Sequence, residues 1–318
     1  MNIAEIIVEF GAWYQKNTAN QMNIYRQLRA ATPTGDVFTP IVTDDTIWRA
    51  AGSSLTRVLQ PFQKAFTPID GLSFTPAEIR MYKMKVDVAE YPDDLEATWL
   101  GFLTGKGVDR KAWPFIQWYL QQEIIPQAKE DEELNEIFWG QYATPVPGTP
   151  GDAGTSMDGI NKIICDFITA GRIAPITTGA IETANVDFVT QIEDFADQIN
   201  KKYWGVAMQV NMNQSNARKF FRGYQEKYDK NVNYQNNPTG AVEFTNLTVN
   251  GLPSMTGSDG IWCTPKVNSV RLLKKTENMA NFSVENVDRQ LKTYSDWWTA
   301  VGFVIPEIVF TNELFELP

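Results

Sequence analysis

The spacing of hydrophobic residues predicts that the chain opens with an amphipathic helix. Ile3, Ile6, Phe10 and Trp13 recur at the intervals that place side chains on one face of a helix. Glu9 lies among the polar positions, which argues against binding to an anionic membrane surface. We expect this helix to pack on its own domain or on a neighbouring subunit.

Proline and glycine interrupt the pattern after this helix. Pro33, Gly35 and Pro40 fall within residues 32–45, where they disfavour regular structure. The segment is therefore predicted to be an extended arm.

Residues 61–88 read as a long β-hairpin. Residues 63–67 form one predicted limb, and Asp70-Gly71 is a turn signal. The return limb alternates between two faces. One face carries Tyr82, Met84, Val86 and Val88, and the other carries Met81, Lys83, Lys85 and Asp87. A hairpin of this length is only marginally stable alone, so we expect it to lie against another surface.

Helical periodicity dominates the middle of the chain. A long helix is predicted over residues 113–142, kinked or restarted at Pro126 because proline lacks a backbone donor. The acidic run at residues 130–133 suits the first turns of a helix that begins near Pro126. Two further helices are predicted over residues 157–168, closed by Gly171, and over residues 188–203.

Short strands replace helices after Gly205. Residues 206–212 are strand-like, residues 217–228 are helical, and further strands follow from Val242 onward. We interpret residues 206–274 as a separate α+β lobe, after which the chain returns to the first lobe. Trp297-Trp298 is predicted to be a packing anchor between two of the returning strands.

Composition excludes several classes of function. The chain of 318 residues has no histidine, which removes histidine-based triads and histidine metal sites. Its net charge is −10 and no stripe of Lys and Arg is present, so specific binding to nucleic acid is not expected. Cys165 and Cys263 lie in apolar runs and match no metal spacing, which indicates two buried thiols. No secretory leader or membrane-spanning run is evident, so a cytoplasmic, reducing origin is expected.

Carboxylates supply the remaining candidate chemistry. Asp93-Asp94, Glu132-Glu133 and Asp296 could in principle face each other across a sugar-binding cleft, with tryptophan as a stacking platform. Adjacent carboxylates on a polar segment more often form a solvated face, which is the interpretation we favour.

Three short phrases near the end of the chain carry a resemblance. They are residues 250–255 (Asn-Gly-Leu-Pro-Ser-Met), residues 264–268 (Thr-Pro-Lys-x-Asn) and residues 303–310. Together with the order of the elements, they resemble the major capsid proteins of tailed bacteriophages of the Hong Kong 97 fold family. The resemblance covers most of the chain.

The resemblance implies an α+β fold with five parts. These are an N-terminal helix and arm (residues 1–60), an extended hairpin called the E-loop (61–90), the helical part of a peripheral domain with a long spine helix (91–205), an axial domain (206–274) and the return strands of the peripheral domain (275–318).

The resemblance also implies a function without catalysis or cofactors. The chain would be the major capsid protein, which assembles with itself into hexamers and pentamers of an icosahedral shell. That shell would enclose a double-stranded DNA phage genome without specific binding and without a membrane. Scaffolding, portal and decoration proteins are the further partners it implies, with assembly in the host cytoplasm and a final location in the virion.

An assembly interface is predicted on the opening helix and the hairpin. Its residues are Phe10, Trp13, Phe66, Tyr82, Lys83, Met84, Lys85 and Val86. Some relatives crosslink an E-loop lysine to a neighbouring asparagine, but no crosslink is predicted for this chain.

Three alternatives remain open from the sequence. An encapsulin-like nanocompartment would share the fold and enclose cargo protein. A portal or tail protein would form a ring or tube. A two-carboxylate carbohydrate-active enzyme would be a monomer that loses activity when a single acid is changed.

Overall fold

The structure is a computed structural model that describes Ile6, Val8 and residues 32–50, 53–54, 59–65, 67, 73–74, 77–107, 114–228, 240–275 and 282–316. The helices are α1 (Pro92–Lys106), α2 (residues 115–136), α3 (Ile160–Thr169), α4 (Asn185–Gln198) and α5 (Gln214–Tyr228). The strands are β1 (Thr39–Thr43), β2 (Ile47–Ala50), β3 (Ser53–Ser54), β4 (Ser73–Phe74), β5 (Ala77–Arg80), β6 (Tyr82–Glu90), β7 (Met208–Asn213), β8 (Gly240–Ala241), β9 (Leu247–Leu252), β10 (Trp262–Pro265), β11 (Ser269–Lys274), β12 (Ser283–Val287), β13 (Gln290–Phe303) and β14 (Phe310–Thr311).

A five-stranded sheet forms the centre of the first lobe. Its order is β1-β11-β13-β12, and β6 also pairs with β13. β13 is long because Leu291, Trp297 and Phe303 alternate toward one apolar core, where α1, α2 and α3 pack on the sheet. Trp297 is an anchor in this core, as predicted, but it lies within one continuous strand rather than between two.

The predicted alternation of residues 82–88 is confirmed, but their predicted partner is wrong. Met84 is buried and Lys83 and Lys85 are exposed, as the pattern indicated. β6 pairs antiparallel with β13, however, from Tyr82 opposite Thr299 to Glu90 opposite Leu291. The observed hairpin lies earlier in the chain, where β2 pairs with β5 and β3 pairs with β4.

The predicted arm over residues 32–45 is partly a strand. β1 runs parallel to β11, with Thr39 opposite Val270 and Thr43 opposite Lys274. β1 forms one end of the described sheet order, and an edge strand tolerates Pro40 because one side of its backbone needs no donor for the ladder. Of the predicted opening helix, the structure describes Ile6 and Val8, both helical, and Ile6 is buried in the core.

The long helix α2 continues through Pro126, where the sequence predicted a kink or a restart. Two of its segments, Tyr119–Ile124 and Glu132–Glu136, have the wider π-type hydrogen bonding, and the segment Ile125–Asp131 lies between them. The first wide segment ends at Ile124, two residues before Pro126. Because a π-type turn changes which carbonyl groups need a donor, it accommodates a residue without an N–H group.

A second lobe has its own core. A five-stranded sheet of order β14-β10-β7-β9-β8 packs against α4 and α5. The predicted boundaries of this lobe, residues 206 and 274, therefore differ from the structure at both ends. α4 contributes Phe188 and Phe195 to this core, whereas β11 belongs to the sheet of the first lobe.

Among the described helices, none is both long enough and apolar enough to span a membrane.

Candidate assembly interface

The observed hairpin is anchored at its base and exposed beyond it. Ile79 and Met81 pack with Leu272 in a small third core cluster. Gly302 on β13 leaves space for Ile79, since a Cβ atom at Gly302 would lie 2.8 Å from the Cδ1 atom of Ile79. Farther out, Arg49 and Glu78 form an exposed ion pair at 2.8 Å. The hairpin is therefore fixed where it leaves the body of the subunit.

Beyond the paired strands, residues 59–65 expose large apolar side chains. Phe62 is 92% exposed and Leu59 is 85% exposed. The Gln60 side-chain amide donates to the Thr67 carbonyl oxygen at 2.8 Å, which holds this segment in a turn. Large apolar side chains that are exposed within one short segment, as Leu59 and Phe62 are, are typical of surfaces that another molecule covers.

The structure separates the predicted interface residues into three groups. Met84 is only 8% exposed and lies in the core of its own chain, and Tyr82 and Val86 pack against that core. Lys83 and Lys85 lie on the other face of β6, where they form ion pairs with Asp296 and Asp87. The remaining three, Phe10, Trp13 and Phe66, lie outside the described residues. The hairpin on which the prediction rested is therefore not formed by β6.

Tyr82 has a second link to its own chain. Its hydroxyl donates to the Asp158 carboxylate, and its ring lies 4.5 Å from that of Tyr142. Burial, and then the Asp158 carboxylate, raise the pKa of Tyr82 well above its ordinary value. These contacts attach the start of β6 to the body of its own subunit.

Glu132, Glu133 and Glu136 form a buried cluster at the end of α2, which the sequence did not predict. Glu133 accepts hydrogen bonds from the Thr34 backbone N–H at 3.2 Å and from the Thr34 hydroxyl. Glu132 forms a buried ion pair with Arg271 of β11. The interpretation of Glu132-Glu133 as a solvated face is therefore wrong.

Glu136 ties α2 to the loop that follows it. Its carboxylate accepts from the backbone N–H groups of Gly154 and Ser156, each at 3.0 Å. The three glutamates thus connect one helix end to the N-terminal arm, to the central sheet and to this loop. Burial raises the pKa of Glu132, and the Arg271 guanidinium opposes that shift.

The phrases that carried the resemblance form structural junctions. The hydroxyls of Ser254 and Thr34 lie 2.7 Å apart, so the Leu-Pro-Ser-Met phrase meets the glutamate cluster. The Asn268 side chain donates to the Ile305 carbonyl oxygen at 3.0 Å and accepts from the Ile305 N–H at 2.7 Å. Residues 264–268 are thereby joined to the segment that contains residues 303–310.

The candidate carboxylates do not converge on a cleft in the part of the chain that the structure describes. Asp93 and Asp94 are exposed in the first turn of α1, and Asp296 pairs with Lys83. Glu132 and Glu133 are buried and hydrogen-bonded. Cys165 and Cys263 are unpaired and buried, as predicted, and burial raises the pKa of both thiols.

The second lobe presents a basic and aromatic surface, which we call the α4-end surface. It consists of Lys201, Lys202, Trp204 and Phe244 beside a cavity of about 70 Å³. The cavity is lined by Trp204 and Phe244 and by Ala196, Asp197, Ile199, Tyr203, Met208, Thr245 and Leu247. Lys201 lies over the ring of Trp204 at 5.8 Å, and Lys202 lies over the ring of Tyr203 at 5.6 Å.

A second surface of this lobe is acidic, and we call it the α4 groove. Its lining residues are Thr177, Thr178, Glu182, Asp187, Thr190, Gln191, Asp194 and Gln198. Gln191 shapes the groove because its amide donates to the carbonyl oxygens of Thr178 and Ala180 at 3.0 and 2.8 Å. Glu182, Asp187 and Asp194 have exposed side chains.

Comparison of the sequence with protein-family models and with curated proteins finds no match. Solved structures do match. A chain of the satellite phage P4 procapsid, in a structure that includes the size determination (Sid) protein, is similar with a TM-score of 0.62 at 10% identity, over 98% of each chain. A chain of Mycobacterium phage Ogopogo gives a TM-score of 0.52 at 10% identity, over 89% of this chain and 91% of that one.

A third similar structure is not from a phage. The holo-SrpI encapsulin complex of Synechococcus elongatus PCC 7942 gives a TM-score of 0.50 at 11% identity, over 91% of this chain and 90% of that one. The chain therefore has the α+β fold of tailed-phage major capsid proteins, the Hong Kong 97 fold, which confirms the fold predicted from the sequence. An encapsulin shares this fold, so the fold alone does not distinguish the two kinds of shell.

Proposed function

We propose that this chain is a major capsid protein that assembles with itself into the icosahedral shell of a tailed bacteriophage and encloses its double-stranded DNA. The observation that carries the proposal is the similarity to a phage procapsid chain over 98% of both chains. The protein has no catalytic role in this account. Its chemistry is the burial of surface between identical copies.

The hairpin formed by β2 and β5 is the proposed E-loop, in place of residues 61–90. It leaves the body at a packed base and exposes Phe62 and Leu59 beyond its paired strands. Identical subunits that meet through unlike patches close into rings, and the rings become the hexamers and pentamers of a shell. A subunit that binds several neighbours gains from effective concentration, so each contact needs only modest affinity.

The two lobes have proposed roles that follow from this assignment. The first lobe, with α2 as its spine, is the proposed peripheral domain, and the second lobe is the proposed axial domain. Lys83 and Lys85 remain candidate contacts because they lie on the solvent face of the central sheet. The opening helix, with Phe10 and Trp13, remains a candidate contact as well.

The charge of the chain suits a container for DNA. With a net charge of −10, the shell repels the duplex weakly, so packaged DNA stays mobile during filling. Scaffolding, portal and decoration proteins are the proposed partners. Assembly in the host cytoplasm is compatible with two unpaired, buried cysteines.

The contents of the particle test this function against the encapsulin alternative, which the match to the SrpI complex leaves open. Particles purified from the host in which the gene replicates are treated with nuclease and then opened. A capsid is expected to release double-stranded DNA of uniform length. Particles that contain one folded cargo protein and no protected DNA would contradict the capsid assignment and establish the encapsulin one.

A further inference from the structure

Phe244 occupies a backbone conformation that is unfavourable for a bulky residue. Its φ angle is 60°, in a turn closed by the Thr245 N–H, which donates to the Val242 carbonyl oxygen at 3.2 Å. Turns that need a positive φ at this position ordinarily have Gly or Asn there. The left-handed conformation brings the Cβ atom of any other residue close to the following carbonyl group.

The turn is held rigidly in this strained form. The Thr245 hydroxyl donates to the Val242 carbonyl oxygen at 2.8 Å and accepts from the Leu247 N–H at 3.1 Å. The Tyr224 hydroxyl donates to the Glu243 carboxylate, which fixes the neighbouring position. The Phe244 side chain is fully exposed, so its apolar surface gains nothing from packing within the subunit.

Two lysines of the α4-end surface have no ion pair with a carboxylate among the described residues. Lys201 and Lys202 are exposed and lie over the aromatic faces of Trp204 and Tyr203. Trp204 is itself 47% exposed. The α4-end surface therefore combines two positive charges and the exposed carboxylate of Asp197, a net positive charge, with two exposed aromatic rings. It suits a partner that is acidic and has small apolar groups between its charges.

The α4 groove of the same lobe has this chemistry. Glu182 and Asp194 supply negative charge, and Thr177, Thr178 and Thr190 supply methyl groups that aromatic rings can cover. The groove runs along α4, whereas Lys201 and Lys202 follow the end of that helix. Asp187, Asp194 and Gln198 of the groove recur at helical spacing and share one face of α4. Ala196, which lines the cavity of the α4-end surface, follows Asp194 by two residues and so lies on the opposite face, which makes the two surfaces separate patches.

We propose that the α4-end surface binds the α4 groove of an adjacent copy of this chain. The inference rests on the proposed shell function, because a closed ring of identical copies requires two unlike and complementary patches on each subunit. Lys201 and Lys202 pair with Glu182 and Asp194 of the neighbour, and Phe244 and Trp204 cover the threonine methyl groups. The strain at Phe244 is thereby offset in the assembly rather than within the subunit.

Charge reversal with rescue tests this contact. Lys201→Glu with Lys202→Glu, and separately Glu182→Lys with Asp194→Lys, are expected to raise the subunit concentration needed for ring and shell formation by about tenfold or more, as read by light scattering. The variant that combines all four changes is expected to return to within about threefold of the original chain. The control, Lys106→Glu with Arg289→Glu, reverses two exposed cations outside both surfaces and is expected to leave assembly unchanged.

Phe244→Asn provides a second, independent measurement. Asn tolerates a positive φ angle, so the unassembled subunit is expected to melt about 2 °C higher while it assembles less well. A variant that is merely misfolded would instead melt lower.

The outcomes of the charge-reversal experiments distinguish a failure of this contact from a failure of the shell function. An original chain that assembles, together with a fourfold variant that shows no rescue, would overturn the contact and leave the shell function standing. An original chain that forms no oligomer under any condition would overturn both. Normal assembly by either charge-reversed pair alone would also overturn the contact.

Discussion

Glu132, Glu133 and Glu136 decide how α2 is joined to the rest of the subunit. Each carboxylate serves a different segment, and two of those segments lie 99 and 139 residues away in the sequence. Burying three carboxylates on adjacent turns is unfavourable unless each one is hydrogen-bonded or paired. The cluster therefore joins α2 to three other segments. If one of the three carboxylates loses its partner, the subunit should be strongly destabilised.

Removal of one member of the Glu132–Arg271 pair is expected to be costly. Glu132→Leu leaves the Arg271 guanidinium buried and unpaired, so the free energy of unfolding should fall by about 3–5 kcal/mol. Adding Arg271→Met removes the orphaned charge and should recover most of that loss. Urea denaturation of the unassembled subunit measures both effects.

The matched control for this pair is Glu130→Leu, which changes an exposed glutamate on the same helix. It should alter the free energy of unfolding by no more than about 0.5 kcal/mol. A Glu132→Leu variant as stable as this control would show that the ion pair does not hold the sheet to α2.

At the scale of elements, the hairpin of β2 and β5 packs against its own subunit at its base, while its outer segment contributes little to that packing. Its outer segment at residues 59–65 is exposed, and among the hairpin residues that the structure describes, those in a core cluster, such as Ile79, lie at its base. The exposure of Phe62 and Leu59 in this outer segment supports the proposed contacts with other copies.

Shortening the hairpin tests this role. Ala50 and Ala77 are paired across the ribbon, so residues 51–76 are replaced by an Asn-Gly turn that joins them. The shortened subunit is expected to melt within about 2 °C of the full chain and to form at least about tenfold fewer shells. Sedimentation velocity measures the assembled fraction. Shells in full yield from this variant would refute the hairpin's proposed role.

The sequence predicted most elements but assigned some of them to the wrong partners. The alternation of residues 82–88 defined a strand and its buried face, yet a period of two does not specify which strand lies alongside. Pro40 concealed β1 because an edge strand tolerates proline whereas a central strand does not. The partner of β6 is β13, more than two hundred residues later, and local patterns contain no information about that pairing.

The buried glutamates were missed for a similar reason. In the sequence they belong to an acidic run that is indistinguishable from a solvated helix face. The available signal was Arg271, a single cation in an otherwise apolar strand, since a charge in such a strand requires a buried partner. Phe244 was read as part of a strand because its turn lacks the glycine that ordinarily marks one.

At the scale of the whole molecule, the order of the elements together with three short phrases predicted the fold, through a resemblance to a known family. In the described part of the chain, a hairpin, a long helix, an α+β lobe and returning strands follow one another, although the hairpin pairs residues 47–50 with 77–80 instead of lying at residues 61–88. Similar structures share this fold over most of the chain. The second lobe begins before residue 206, because α4 packs in its core. The sequence concealed this boundary, since α4 continues the helical region of the first lobe. We therefore propose a two-lobed subunit whose exposed hairpin and two unlike surfaces bind other copies of the chain.

Electron microscopy of the purified full-length chain, at increasing protein concentration, tests this claim most directly. We expect closed shells of uniform diameter, built of five- and six-membered rings, in which each hairpin lies on a neighbouring subunit. A chain that remains a single compact particle at the highest concentration reached, with Phe62 still exposed to solvent, would contradict the account.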